Sequence, residues 1–328
     1  MIGRSSLRKT TTLAAVALGV LALAAGRAQA DDLVDASVRA HMLAHKDGRV
    51  AHVESEYNDV FVEKRGPLLA LTTRVRNEKF FHSIVNLTDP DDMPAPYTRL
   101  MSAGLLYPPS IRHILMVGLG AGSISTYLGR AMPDVQIDVV ELDPGVITAG
   151  RKYFGLKETD KVHFIERDGR VYLNRSKEHY DLIILDAFRE LGIPFHLLTR
   201  EFNQLIRQRL APGGAVASNV AANTKLYVST IATLRAVFPT VDVYADWKEA
   251  EEAQSIAVAM PGPRPSPDEL TRRAAVLQEQ YHFRYPPGDL VAGRVTDENA
   301  DGGQVLTDDF APVNLYETQP VPKKKRAR

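Results

Sequence analysis

The sequence predicts an α/β protein, in which a parallel sheet with helices on both faces is preceded by a small N-terminal β-domain. From Ile111 onward, near-continuous apolar strand segments alternate with helical ones, which is typical of a buried parallel sheet. The first of these strands runs into a glycine loop, Gly118 to Gly122, and then into a helical pattern. Residues 50–87 instead alternate and are punctuated by turn residues, as short antiparallel strands are.

The first 30 residues predict a secretory signal peptide. A basic start, "RSSLRK", precedes an apolar run from Leu13 to Ala25 and the small-x-small site Ala28-Gln29-Ala30. The apolar run is shorter than the roughly 20 residues of a membrane-spanning helix, although an uncleaved anchor is an alternative. We therefore expect cleavage after Ala30, no stable membrane span afterwards, and a periplasmic or secreted protein.

The composition excludes several classes of partner. The 40 Lys and Arg balance the 40 Asp and Glu, so no bulk charge favours nucleic acid or acidic membranes. Cysteine is absent, which excludes disulfides, thiolate metal sites and cysteine catalysis. His41 and His45 are one helical turn apart, but no third ligand is evident, so no metal is expected. A homodimer is one assembly that the sequence allows.

After the signal, the chain divides into two predicted parts. Residues 31–96 contain a short helix over 31–47 and then the antiparallel strands. Residues 97–328 contain the α/β domain with a C-terminal helix and a tail. The helix of "SPDELTRRAAVLQEQYHF" is expected to begin after Ser266, a favourable N-cap residue. Another helix is predicted for "YTRLMSAGLLY", and strands are predicted for "HILMVG", "VQIDVVEL", "VHFIERD", "YDLIILDA", "GAVASNV", "VDVYAD" and "SIAVAM".

The glycine loop is the first candidate ligand site. Gly118, Gly120 and Gly122 would let a ligand approach bare backbone. Dinucleotides, phosphates and S-adenosylmethionine-type ligands all meet that description. Ser123 stands where a dinucleotide fingerprint has its third glycine. The loop sequence alone does not distinguish among these three classes of ligand.

Acidic residues at the ends of the following strands reduce the number of candidate ligand classes. Glu141 comes about 20 residues after the loop and would accept hydrogen bonds from ribose hydroxyls. Asp168 and Gly169 end the third strand, where they could receive an adenine ring, and Asp186 ends the fourth. Asp143 precedes a proline, so it is either a ligand contact or a helix N-cap. These strand ends share one edge of a sheet. Together with Ser123 in place of the third glycine, their succession of acids favours an adenosyl sulfonium ligand over NAD.

Residues from Tyr57 to about Val220 resemble the spermidine synthase (polyamine aminopropyltransferase) family. The motifs that carry the resemblance are "DAFRELGIPFHLLTREF", Asp186–Phe202, and "VLTDDFAPVN", Val305–Asn314, both similar to a bacterial branch of polyamine biosynthesis enzymes. The resemblance implies a small β-domain on a Rossmann-like, seven-stranded methyltransferase-type domain. It also implies aminopropyl transfer from decarboxylated S-adenosylmethionine to an amine, either putrescine or an altered acceptor.

The resemblance also implies roles for individual residues. Glu141 would bind the ribose and Asp168 the adenine end of the donor. Asp186 matches the first acid of the family's Asp-Ser-Ser-Asp-Pro loop, which acts as the general base. Tyr97 matches the tyrosine of the family's Tyr-His-Glu segment. Arg189 lies where the acceptor's amine would be held, and Glu190 follows it.

Other positions depart from the family's pattern. Ala121 replaces the acid that pairs with the donor's aminopropyl amine. Arg189 replaces the second catalytic acid, Thr98 and Arg99 replace a histidine and a glutamate, and Arg76 stands near an expected glutamine. Arginines beside a diamine would repel it. The donor pocket is therefore expected to be kept and the acceptor pocket to be altered.

Two alternative functions remain at this stage. A methyltransferase on the same scaffold is favoured by Ala121, which removes an acid that would repel the carboxylate of intact S-adenosylmethionine. An exported, non-catalytic nucleoside-binding protein is favoured by the signal peptide, because the donors are made in the cytosol. The acids Asp308 and Asp309 either approach the site or order the C-terminal segment.

Overall fold

The structure is a computed structural model, and it describes residues 33–57, 59–75, 78–187, 193–221, 225–245, 254–296 and 299–312. The predicted signal peptide lies outside the described residues. Three positions singled out in the sequence also lie outside them, namely Arg76, Arg189 and Glu190.

A four-stranded antiparallel sheet comes first in the chain. It follows helix α1, Ala36–Ala44, whose N-cap Asp35 accepts hydrogen bonds from the backbone of Ser37 and Val38. The strands pair in sequence order, and they are β1 Gly48–Glu54, β2 Asp59–Arg65, β3 Leu68–Val75 and β4 Glu78–Asn86. The antiparallel strands expected from residues 50–87 are therefore present.

The second sheet has eight strands among the described residues. They are β5 His113–Val117, β6 Gln136–Glu141, β7 Val162–Glu166, β8 Tyr180–Leu185, β9 Leu210–Ala221, β10 Thr240–Ala245, β11 Gln254–Met260 and β12 Arg294–Val295. Their spatial order is β12-β10-β11-β9-β8-β5-β6-β7. Strands β5 to β9 pair in parallel, and β10 to β12 are antiparallel. All seven strands expected after Ile111 are present, and the two-residue β12 was not expected.

Helices connect the strands of this sheet. They are α2 Pro96–Leu100, α3 Ser123–Ala131, α4 Pro144–Ala149, α5 Gly169–Arg175, α6 Arg200–Arg209, α7 Lys225–Arg235 and α8 Pro267–Tyr281. The segment expected to be one helix begins as α2 and continues as a 3-10 helix, Met101–Leu106. The hydroxyl of Ser266 caps α8 as expected, because it accepts a hydrogen bond from the Glu269 backbone at 3.1 Å. Within the described ranges, no helix combines the length and the apolar character that crossing a membrane requires.

Both faces of the larger sheet are buried. Along β5, Ile114 and Met116 belong to one hydrophobic cluster, whereas Leu115 and Val117 belong to another on the opposite face. Side chains of successive strand residues point to opposite faces, so a strand covered on both sides reads as a continuous apolar run. This explains the "HILMV" pattern and confirms the predicted α/β fold.

Candidate active site

A pocket opens at the carboxyl ends of β5 to β8, where ligands of open α/β sheets bind. The smaller sheet forms one wall through Val60, Leu71, Thr73 and Ser83. The rest of the lining comes from the larger sheet and its loops. It includes six of the predicted loop and strand-end residues, namely Gly118, Gly120, Glu141, Asp168, Gly169 and Asp186. Gly122 and Asp143 are not part of the lining.

The glycines of the loop have two different neighbours. Gly118 has a φ of +104°, and a Cβ there would lie 2.3 Å from the carbonyl oxygen of Asp186. Gly118 therefore lets the loop press against the backbone of Asp186. Gly122 lies outside the pocket lining, and a Cβ there would meet the Leu156 side chain at 2.4 Å. Gly122 thus serves the packing of the loop rather than the predicted ligand contact.

Glu141 holds the glycine loop in place. One carboxylate oxygen accepts a hydrogen bond from the Leu119 backbone at 2.9 Å, and the other accepts one from the Asp143 backbone at 2.9 Å. Burial raises the pKa of Glu141, although these backbone hydrogen bonds oppose that rise. A carboxylate has about four lone-pair sites, so acceptor capacity toward the pocket remains.

The structure favours the N-cap alternative for Asp143. One of its oxygens accepts from the backbone of Gly145 at 2.7 Å and so caps α4. The other accepts from the hydroxyl of Ser55 at 2.7 Å. Asp143 is completely buried and fastens the smaller sheet to the larger one.

Replacing Asp143 with alanine is expected to destabilise the protein and leave the pocket's affinity for adenosyl ligands nearly unchanged. The loss of a cap and of a buried hydrogen bond should lower the free energy of unfolding by about 1–3 kcal/mol. Chemical denaturation measures the first quantity and calorimetry with methylthioadenosine the second. Asp143→Asn, which keeps a cap-forming oxygen, is the matched control. A large loss of affinity in a folded Asp143→Ala protein would restore the ligand role.

Asp168 is joined to a residue that the sequence did not assign. One oxygen of Asp168 accepts from the backbone of Val171 at 2.9 Å and caps α5. The other lies 2.8 Å from Nε2 of His196, which is in a 3-10 turn after the "DAF" motif. The hydrogen bond with His196, together with that from the Val171 backbone, lowers the pKa of Asp168. The carboxylate therefore links the adenine end of the predicted site to the segment that follows Asp186.

Arg170 fastens the C-terminal segment to this wall. Its guanidinium donates to both carboxylate oxygens of Asp308, at 2.7 and 2.6 Å, and to the carbonyl of His196 at 3.0 Å. We call Arg170, Asp308 and the His196 carbonyl the Arg170 clamp. Of the two alternatives for Asp308, the structure favours the ordering role, because both of its oxygens pair with Arg170.

Asp186 directly follows β8 and lines the pocket. Its Oδ1 accepts from Nδ2 of Asn219 at 2.9 Å, and its Oδ2 accepts from the hydroxyl of Tyr97 at 3.4 Å. Burial raises the pKa of Asp186 to about 6, although both hydrogen bonds act in the opposite direction. Burial and the neighbouring carboxylate also raise the pKa of Tyr97 well above its usual value, which keeps the phenol protonated as a donor.

Two of the positions that depart from the family's pattern are turned away from the pocket lining. The Nε of Arg99 donates to the carbonyl of Met93 at 2.8 Å, and its guanidinium lies 4.5 Å from the ring centre of Tyr285. Thr98 is buried and donates to the carbonyl of Ala95. The expectation that Arg99 would repel a polycation in the pocket is therefore not supported by its position.

Comparisons with known proteins agree with this architecture. A model of the spermine/spermidine synthase domain matches residues 95–246. The polyamine aminopropyltransferase of Vibrio vulnificus (strain CMCP6) is 33% identical over 237 residues, which are 69% of this chain and 78% of that protein.

Solved structures add support at the level of the fold. A probable spermidine synthase from Corynebacterium glutamicum ATCC 13032 superposes with a TM-score of 0.62 at 21% identity, covering 83% of this chain and 99% of that one. Human methyltransferase-like protein 13, solved in complex with SAH, superposes with a TM-score of 0.51 at 25% identity, covering 57% of this chain and 93% of that one. Since the match to the Vibrio protein extends over most of its length, this chain belongs to the spermine/spermidine synthase family of transferases.

Proposed function

We propose that this protein transfers an aminopropyl group from decarboxylated S-adenosylmethionine to an amine acceptor. The observation that carries the proposal is Asp186, a half-buried carboxylate of raised pKa that lines the same pocket as the glycine loop. Asn219 and Tyr97 hold both of its oxygens from the protein side. Membership of a transferase family adds to this support.

The proposed donor lies along the strand ends. Glu141 accepts from the ribose hydroxyls with the lone pairs that the loop backbone leaves unused. Asp168 and Gly169 face the adenine end. A side chain at 169 would collide with Val117, 2.4 Å from the position of its Cβ, so the glycine lets the start of α5 pack against the end of β5.

Asp186 acts on the acceptor in this proposal. An alkylammonium is not a nucleophile, so a base must take its proton before or during attack. The amine nitrogen then forms a bond to the carbon beside the sulfonium, and the carbon–sulfur bond breaks. The leaving methylthioadenosine is a neutral thioether and needs no acid. A base with a pKa near 6 is mostly ionised at neutral pH, as this role requires.

A product assay over paired donors tests the proposal. Purified protein is incubated with decarboxylated S-adenosylmethionine or with intact S-adenosylmethionine, over a panel of amines that includes putrescine. Release of methylthioadenosine with formation of an aminopropylated amine supports the proposal. Retention of the donor in every reaction would contradict it. If a nucleoside still binds in that case, the non-catalytic alternative gains support.

A methyltransferase remains the second candidate because of Ala121. This residue is fully buried in the glycine loop and carries no charge toward the donor, whereas an acid there would repel the carboxylate of intact S-adenosylmethionine. A human relative in structure is a methyltransferase-like protein bound to SAH. Release of adenosylhomocysteine from intact S-adenosylmethionine in the same assay would favour this reading.

The acceptor is proposed to be putrescine or an amine of altered charge. Arg189 and Glu190, which stand where the family holds the acceptor's amine, lie outside the described residues. The contribution of these two side chains therefore remains a prediction from the sequence.

We also propose that the protein acts outside the cytosol, in the periplasm or after secretion. The support is the pattern of a basic start, a short apolar run and Ala28-Gln29-Ala30. Intact-mass measurement of protein from the periplasm or the medium should give a chain that begins at Asp31. Recovery of chains that retain Met1 from those fractions would contradict cleavage.

A further inference from the structure

A second, smaller cavity lies directly behind Asp186. It shares Val117, Ala187 and Leu197 with the main pocket. Its volume is about 20 Å³, and a water-sized group needs at least about 10–15 Å³ on this scale. The cavity therefore has room for one such group.

The polar lining of this cavity includes three buried side-chain oxygen atoms without a hydrogen-bond partner among the described residues. They belong to the side chains of Asn203, Ser218 and Asn219, which are 4%, 6% and 1% exposed. Within the part of the chain that the structure describes, Asn203 Oδ1, Ser218 Oγ and Asn219 Oδ1 have no hydrogen-bond partner. We call the space between these residues the amide cavity.

The orientation of both amides is fixed by their other ends. Nδ2 of Asn203 donates to the carbonyl of Thr199 at 3.0 Å, and Nδ2 of Asn219 donates to Asp186 at 2.9 Å. Neither amide can turn over without placing its carbonyl oxygen against another acceptor, the Thr199 carbonyl or the Asp186 carboxylate. The carbonyl oxygens of Asn203 and Asn219 are therefore the atoms that lack a partner.

A buried acceptor without a donor costs about 1–3 kcal/mol. The two amide oxygens are acceptors only and the Ser218 hydroxyl can accept through its lone pairs, so the three oxygens favour a ligand that brings hydrogen-bond donors. A primary ammonium group is about the size of water and offers three N–H donors and no acceptor. The remaining lining is mostly apolar and includes Leu198 and Leu234. Asp186 contacts this lining through its hydrogen bond with Asn219.

We propose that the amide cavity binds one primary ammonium group of a reactant. The inference rests on the proposed function, because both reactants of aminopropyl transfer carry such a group: the acceptor amine and the aminopropyl arm of the donor. Neutral amide oxygens and a hydroxyl would then accept the N–H hydrogen bonds that carboxylates accept at the amine-binding positions of the family's pattern. This arrangement is compatible with Ala121 in place of the acid that would pair with the aminopropyl amine.

Two variants each remove one of the three unpartnered oxygens and leave Asn219, the hydrogen-bond partner of Asp186, in place. Asn203→Leu preserves volume and removes the amide, and Ser218→Ala removes the hydroxyl. Thr230→Val is the matched control, because Thr230 lines the same cavity but its hydroxyl already donates to the carbonyl of Leu226 at 2.9 Å. Chemical denaturation establishes whether each variant is folded. If Asn203→Leu does not fold, Ser218→Ala alone provides the test.

Calorimetry then separates the two sources of the ammonium group. One titration adds n-butylamine or putrescine to protein saturated with methylthioadenosine. Another compares decarboxylated S-adenosylmethionine with methylthioadenosine, which has the same nucleoside but no amine. Loss of a hydrogen bond to a charged group corresponds to about 10-fold weaker binding or more. Weaker amine binding identifies the acceptor, and weaker binding of the decarboxylated donor alone identifies the aminopropyl arm.

The outcomes distinguish this inference from the proposed function. If wild-type protein shows no turnover but Asn203→Leu weakens amine or donor binding, the subsite stands and the activity does not. If turnover is present and both variants bind amine and donor as tightly as Thr230→Val, the cavity holds no ammonium group and the inference is overturned. If the acceptor KM of both variants is also unchanged, a buried water alone satisfies these oxygens.

Discussion

Asp186→Asn is expected to lose turnover by at least about 100-fold, the usual scale for removing a general base, while donor binding is retained. An asparagine can keep both contacts of the native side chain. Its oxygen would accept from Asn219, and its NH₂ would donate to the hydroxyl of Tyr97. The measurements are methylthioadenosine release for turnover and calorimetry with methylthioadenosine for binding. Full activity in the variant would remove Asp186 as the base.

The pH dependence of the same variant supplies a second test. Only the ionised carboxylate accepts a proton, so wild-type kcat/KM, which reports the groups of the free enzyme, should rise as the pH passes through about 6, the raised pKa of Asp186, and then level off. The residual activity of Asp186→Asn should lack this rise. An identical acid limb in both proteins would assign it to another group.

The stability of Asp186→Asn should change in the opposite direction to its activity. Because the folded-state pKa lies above the usual aspartate value, the native state holds the proton more tightly than the unfolded state. Stability contributed by this group is therefore present at low pH and is lost as the pH rises from about 4 to about 6. The neutral amide should make the protein more stable at pH 7, by on the order of 1–3 kcal/mol.

Glu141→Ala is expected to weaken the binding of adenosyl ligands by at least about 10-fold, since a hydrogen bond to a charged acceptor is worth about 1.5–3 kcal/mol. The variant loses the proposed ribose acceptor, and it also releases the Leu119 and Asp143 backbone groups that the carboxylate now holds. Calorimetry with methylthioadenosine measures the effect.

Glu166→Ala is the control for Glu141→Ala. Glu166 is the register partner of Glu141 on β7, but it is exposed and lies outside the pocket lining. Its removal changes the net charge of the same sheet edge by the same amount. Equal loss of affinity in both variants would indicate a long-range charge effect, and unchanged affinity in a folded Glu141→Ala protein would contradict the ribose assignment.

The fold was predictable because its signals are local. The run "HILMV" and the glycines after it specify a buried strand and a tight loop within about ten residues of sequence, as periodicity and turn chemistry usually do. The acids at the strand ends followed from the same reasoning, since parallel strands bring their carboxyl ends together. Glu141, Asp168 and Asp186 accordingly line one pocket.

The partners of these acids were not predictable from local pattern. Asn219 contacts Asp186 across 33 positions of sequence, and His196 contacts Asp168 across 28. A polar residue at the carboxyl end of an apolar strand, as in "AVASNV", was the available signal for Asn219. For Asp143, the cap on Gly145 is local to the sequence, whereas the contact of its other oxygen with Ser55 depends on how the two sheets pack.

The Arg170 clamp has a consequence for the order in which the protein acquires its structure. Arg170 and Asp308 are separated by 138 residues, so the contact cannot form until nearly the whole α/β domain has been synthesised. Contacts of such high sequence separation close large loops and form late. The glycine loop and its first strands can assemble early from neighbouring segments, whereas the wall that joins Asp168 to His196 gains its last support only at the end of folding.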